Sequence, residues 1–217
     1  MFHTAITVND LVFMLNGAVN TLAITCLAML GGTILGGVFG VARAISPWWI
    51  NIVIGAFLDL FRSVPLLIQL ILANSFKSIV GLKIDAFAVS CVILSVYASS
   101  YCAEIVRAGY LSVPTVTRRA ARSLGLTYWQ ELREIVFPLA LRVVLPSWIG
   151  LSLGVMKDTS LVLWIGVFEL LKSSQIIVTR IQEPLFVLLI VGFMYFLISY
   201  PIGRFGHFLE QRWREDN

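Results

Sequence analysis

The sequence is poor in charge. Only 13% of its 217 residues are Asp, Glu, Lys or Arg, whereas a soluble domain carries about 25%. Residues 11–42, 86–103 and 184–203 hold no charged side chain and no histidine. A soluble globular enzyme, a disordered chain and a nucleic-acid-binding protein are thereby excluded. The three cysteines, Cys26, Cys91 and Cys102, lie in apolar runs without metal-ligand spacing. They read as small buried hydrophobes, and neither His3 nor His207 has neighbours that would make it a ligand. Residues 1–16 lack Lys and Arg, so the positive segment that opens a cleavable signal peptide is missing. No Gly-x-x-x-x-Gly-Lys-Ser/Thr phosphate loop occurs, so the chain does not bind nucleotide by that motif.

What is present is apolar length: 59% of the residues are hydrophobic. A hydrocarbon core about 30 Å thick needs about 20 mostly apolar residues as helix. We expect an all-α membrane protein with five transmembrane helices, at 17–41, 65–79, 84–106, 139–161 and 185–203. On the first, Gly32-x-x-x-Gly36-x-x-x-Gly40 repeats the small-residue spacing that lets another helix approach closely. Residues 47–61 read as an amphipathic or partly buried helix. Pro65 then disfavours a helical Val64, and it suits the first position of a helix restarting beyond the break.

The placement of basic residues orients these spans. With the N-terminus outside, the inner segments hold Arg43, Arg62, Arg107, Arg118, Arg119, Arg122, Arg133, Arg142, Arg204, Arg212 and Arg214, eleven in all. The outer segments hold four, Lys77, Lys83, Lys172 and Arg180, and Lys157 lies within the fourth span. The positive-inside rule therefore predicts N-out, C-in.

Residues 107–138 are too polar to span and are expected to form a cytoplasmic loop. Within them Ala120-Ala121-Arg122-Ser123-Leu124 reads as a short helix ended by Gly125 in the C′ place. Thr127-Tyr128-Trp129-Gln130 has the form of a capping box. It predicts a second helix running to about Val136 and halted by Pro138. The predicted element is two short rods joined by a glycine turn, suited either to a protein partner or to anionic headgroups.

Several motifs resemble one family. Ala120-Ala121-x-x-Leu124-Gly125-Leu126, followed after eleven residues by Pro138, resembles the EAA loop of ABC importer permeases. Asn20-Thr21-Leu22, residues 61–69 (Phe-Arg-Ser-Val-Pro-Leu-Leu-Ile-Gln) and residues 100–109 (Ser-Tyr-Cys-Ala-Glu-Ile-Val-Arg-Ala-Gly) resemble the polar amino-acid uptake branch. So do Pro138-Leu139-Ala140-Leu141-Arg142 and Lys157-Asp158-Thr159-Ser160-Leu161. The sequence departs from the family pattern at Val116-Thr117, at Arg119 in place of the usual acid, and at Gly150 in place of a common Asn.

The resemblance implies a type I importer permease fold in the bacterial inner membrane. It implies pairing with a second permease chain, docking of two ATP-binding subunits that hold ATP and Mg, and delivery of an amino-acid substrate by an extracytoplasmic solute-binding protein. No cofactor is expected in this chain. The ATPase-coupling residues would be Thr117, Arg118, Arg119, Ala120, Ala121, Ser123, Leu124, Gly125 and Leu126. Intramembrane polar groups are costly and point to function. Lys157, Asp158, Thr159 and Ser160, with Glu104 and Gln69, are therefore the candidate substrate path. The competing structural reading pairs Glu104 with Arg107 at i,i+3. A self-sufficient ion-coupled transporter or channel is the alternative, disfavoured by the small number of spans and the absence of an inverted repeat.

Overall fold

The computed structural model describes residues 6–215; His3 lies outside them. Among the described residues the chain is helical and has no strand. The elements are α1 (Val8–Ile45), α2 (Trp48–Ser63), α3 (Leu66–Ile79), α4 (Ala86–Ser112), α5 (Thr115–Ser123) and a single turn α6 (Tyr128–Gln130). A π-helix (Glu131–Val136), α7 (Phe137–Asp158), a 3-10 helix (Thr159–Ile165), α8 (Leu170–Ile181) and α9 (Pro184–Glu215) complete the chain. Four helical segments are long and apolar enough to cross a bilayer, and a fifth crossing results if the bent pair α2–α3 is one span.

Helix direction constrains the chain on either side of that pair. Gly31 lies beside Ser95, Gly36 beside Cys102 and Gly40 beside Val106, so α1 and α4 run parallel. The chain between them must return to the end where α1 began. At 1.5 Å per residue α3 is only about 21 Å long, short of the hydrocarbon core. The axes of α2 and α3 meet at 94° across a break of two residues, Val64 and Pro65. Gln69 sits at the bend and donates from Nε2 to the carbonyls of Phe61 and Val64, both at 2.8 Å. These are carbonyls that the end of a helix leaves unmatched.

Close approach of α1 to α4 depends on its glycines. A Cβ on Gly36 would lie 2.6 Å from the Cβ of Cys102, so a side chain there would hold the helices apart. Gly203 beside Leu153 and Gly206 beside Ile149 make α7 and α9 antiparallel. Gly109 against Ala140 and Val144, together with Leu94 and Ala98 in one core cluster with Val155, does the same for α4 and α7. The N-terminal end of α1 and the C-terminal end of α9 are thus at opposite ends of the bundle. The core between them includes Ile24, Ala28, Leu66, Leu70, Leu94, Ala98, Val155 and Val162. A second cluster, around Met14, Leu170, Ile177 and Val187, packs α8 beneath the start of α1.

Two expectations are corrected. Pro138 does not halt the helix that Thr127 starts. The amide of Phe137 bonds to the carbonyl of Leu132, five residues back, in the π-helix, and α7 continues with the proline in its first turn. A proline in a regular α-helix clashes with the carbonyl four residues back. The widened turn relieves that clash, and the rod runs on from the loop into the membrane. The cysteines are not uniformly buried either. Cys102 is buried and Cys91 half-buried, but Cys26 is exposed and lines a cavity of about 460 Å³ between α1, α7 and α9.

Candidate functional site

The polar segment between α4 and α7 folds into an elbow. Pro114 precedes α5, whose end is closed by two bonds. Gly125 N–H donates to the carbonyl of Arg122 and Leu126 N–H to that of Ala121. This double closure requires a left-handed residue at C′, and Gly125 has φ +88°. Thr127 then caps the next rod. Its N–H donates to Oε1 of Gln130 at 2.8 Å, and its Oγ1 accepts from Gln130 N–H at 3.4 Å. The angle between the rods follows from these local bonds.

A buried carboxylate locks the elbow. Glu131, 1% exposed, lies on the π-helix and accepts from Nε of Arg118 at 2.7 Å and from Nε of Arg122. Arg118 also donates from Nη2 to the hydroxyl of Tyr110 at 2.5 Å, and its guanidinium stacks 4.5 Å over that ring. Glu131 stands before the apolar stretch of the rod. Hydrogen bonds from Arg122 and Arg118 hold its carboxyl below the usual carboxylate range against the opposing effect of burial. Sequence reasoning passed over Glu131. Its only signal was an acid set nine and thirteen residues from two arginines across a glycine turn.

The outer surface of the elbow is apolar for so polar a segment. Leu124 is 82% exposed and Trp129 74% exposed, with Val116 also exposed, while Ala121 is buried against the rod behind it. Covering a Leu side chain is worth about 1.5–3 kcal/mol, so this surface favours a contact that removes it from water. Thr117, Arg119, Ala120 and Ser123 share its exposed side.

The remaining polar candidates fall into separate places. Lys157 is exposed, Asp158 half-buried, and among the described residues neither makes an ion pair of 4.0 Å or less. Thr159 is buried and its hydroxyl donates to the carbonyl of Met156 at 2.7 Å; Ser160 is half-buried. These four lie where α7 tightens into the 3-10 helix. Glu104 lies elsewhere. Its carboxylate is occupied by Arg43, by Arg62 at 3.3 Å and by Arg107 at 3.6 Å, tying α1 and α2 to α4. The expected partner Arg107 is present, but Arg43 is the nearer one. Gln69 has its amide nitrogen engaged at the bend of α2–α3. Glu104 and Gln69 thus serve packing contacts, whereas Lys157 and Asp158 have no ion-pair partner among the described residues.

Other polar contacts emerge only from the fold. Glu169 is fully buried, accepts from the amides of Leu171 at 2.8 Å and Lys172 at 2.6 Å, and caps α8. Asp10 accepts from Nη2 of Arg180 at 2.6 Å, fastening α8 to α1. Among the described residues no group of three or more His, Cys, Asp or Glu could hold a metal ion. The cavity lined by Cys26 has no charged residue in its wall and offers no counter-charge to a zwitterion.

Long apolar helices with a polar elbow at one end define a polytopic membrane protein. The chain belongs to the family of binding-protein-dependent transport system inner membrane components, which it matches over residues 12–215. It is 32% identical over 204 residues to the glutamine transport system permease protein GlnP of Escherichia coli K12, covering 92% of each chain. It is 30% identical over 223 residues to the glutamate/aspartate import permease protein GltK of Escherichia coli O157:H7, covering 97% of this chain and 98% of that one. A solved amino acid ABC transporter, crystallised with histidines, superposes with a TM-score of 0.86 at 28% identity over 94% of this chain and 96% of that one. The MetNI methionine ABC transporter shares the fold, with a TM-score of 0.77 at 22% identity, 94% of this chain and 99% of that one being covered. The chain is an inner-membrane permease subunit with the type I ABC importer fold.

Proposed function

We propose that this permease moves a polar amino acid inward at the expense of ATP bound and hydrolysed, with Mg, by a separate pair of ATPase subunits. A second permease chain completes the path, and an extracytoplasmic solute-binding protein delivers the substrate. The chain itself is non-catalytic. The arginine-rich end of the bundle faces the cytoplasm, in keeping with the positive-inside rule. There the elbow from Thr117 to Leu126 seats in the ATPase. The observation that carries this reading is the exposed Leu124–Trp129 surface on an elbow locked to the spanning rod through Glu131. A push on such a surface travels into α7 without a flexible joint. ATP does work only by favouring one global state over another, and a stiff lever transmits that difference. Lys157 and Asp158, with Thr159 and Ser160, are the proposed substrate-path groups, their opposite charges matching a zwitterion; Glu104 and Gln69 frame the path. The names of GlnP and GltK support an amino-acid cargo.

The test is uptake by proteoliposomes holding the chain with its ATPase and binding-protein partners. Radiolabelled glutamine, glutamate, histidine and arginine are offered with and without internal ATP. Uptake of at least one of them only with hydrolysable ATP is expected. Uptake driven equally by an ion gradient without ATP refutes the reading.

A further inference from the structure

A cavity of about 320 Å³ lies between α1, the end of α4 and the π-helix, directly behind the elbow. We propose that it binds an acyl chain carrying an anionic head. Its wall is apolar, with Gly37, Val41, Leu132 and Val136 prominent; its side-chain polar atoms are the hydroxyls of Tyr110 and Tyr128. The volume is within the usual range for a small-molecule site.

Gly37 marks where the packing leaves room. Its neighbours Gly36 and Gly40 are pressed against α4 so closely that an added Cβ would come within 2.6 Å of other atoms. A Cβ on Gly37 would meet nothing within 4 Å. Water is a poor occupant, because it needs two to four polar partners. Leaving the space empty forfeits the dispersion contacts of the whole lining. In an inner-membrane protein the apolar material at hand is lipid chain.

Charge selects the head. Arg118 and Arg122 share the single carboxylate of Glu131, and with Arg119 the elbow keeps two positive charges in excess. Arg118 reaches the cavity wall through its 2.5 Å bond to the Tyr110 hydroxyl. An anionic head at the mouth, with its chain between α1 and the π-helix, meets both properties. Occupancy braces the joint between elbow and span, so the ligand tunes the coupling lever itself. A membrane phospholipid and a free fatty acid share this chemistry.

The test uses the full chain with its ATPase partner in nanodiscs containing trace photoactivatable acyl probes. The probes are phosphatidylglycerol, a free fatty acid and, as the uncharged-head comparison, phosphatidylcholine. Expected is labelling concentrated on residues 37–45 and 128–144, preferring the anionic probes. Whichever anionic probe labels more strongly identifies the source. Gly37→Leu, which fills the space, should lower this labelling about tenfold, as a loss of one decade in affinity would. Should that variant fail to insert, Val136→Trp fills the same space, and excess unlabelled anionic lipid must displace the label from the unaltered chain. Labelling spread evenly over α9, equal labelling by phosphatidylcholine, no displacement, or cross-linking of the cavity to a second protein chain overturns the proposal.

Discussion

Arg118 places Nε 2.7 Å from Oε1 of Glu131, joining two residues on opposite sides of the glycine turn. Arg122 takes the other carboxylate oxygen, so neither rod of the elbow moves independently of the helix that enters the membrane. This three-residue lock gives a loop the stiffness of a secondary-structure element.

Glu131→Gln should loosen the elbow without unfolding the bundle. Hydrogen bonds to a charged group are worth about 1.5–3 kcal/mol. Amide exchange should therefore accelerate across residues 115–131, with protection in α1 and α4 unchanged. Exchange unaltered in the elbow would show that the rods are held by their caps alone.

The same lock sets a pH dependence. The Glu131 carboxyl is held below its ordinary value, so its stabilisation is complete above the unfolded carboxylate range, about 4.3. It is lost as pH falls through the lowered folded value. Spin labels at Thr117 and Trp129 should report a constant distance distribution from pH 8 to about 5 and broadening only in stronger acid. Broadening near neutrality would assign the lock to another group.

Gly125→Val forces a β-branched residue to φ +88°. The left-handed conformation costs an ordinary L-residue about 1–2 kcal/mol, and β-branching adds to this. Substrate-stimulated ATP hydrolysis in the reconstituted complex should fall severalfold, while membrane insertion is retained. Normal stimulated hydrolysis would remove the turn from the coupling pathway.

Gly36→Val and Gly150→Ala should part company. The first collides with Cys102 and with the carbonyl of Ser99, whereas a Cβ at Gly150 meets nothing within 4 Å. Overpacking costs about 1–3 kcal/mol, so Gly36→Val should lower the yield of detergent-stable chain and Gly150→Ala should not. Equal yields would contradict the close α1–α4 contact.

Lys157→Met and Asp158→Asn address the proposed substrate path. Each should reduce transport about tenfold or more, because an intramembrane charge without an ion-pair partner among the described residues is otherwise only a cost. Complex assembly, followed by copurification of the ATPase, should be unchanged. Full transport by both variants would leave the path to other residues.

Much of this was legible in order of residues. Gly125 between Ala120-Ala121 and Thr127-x-x-Gln130 announced the turn and both caps, since such bonds span at most five residues. Gly32, Gly36 and Gly40 announced a close helix contact without naming α4 as the partner. Pro138 misled because a proline's effect depends on whether the preceding turn stays α-helical or widens. Glu104 was visible as a charge near a span end, yet its partner Arg43 lies 61 positions away. Nothing local marked Glu131 or Glu169 as buried.

The sequence by itself determined that the chain lives in a bilayer and that a glycine-hinged elbow interrupts its long apolar helices. Those properties arise from side-chain hydrophobicity and from bonds between near neighbours. Only the tertiary structure decided that α1 and α4 run side by side and that α2 and α3 meet at a sharp bend. It also decided that Arg118 and Arg122 close on one carboxylate and that an open space remains behind the elbow. Each of these depends on how whole helices pack, and packing joins atoms whose separation along the chain carries no information about their separation in space.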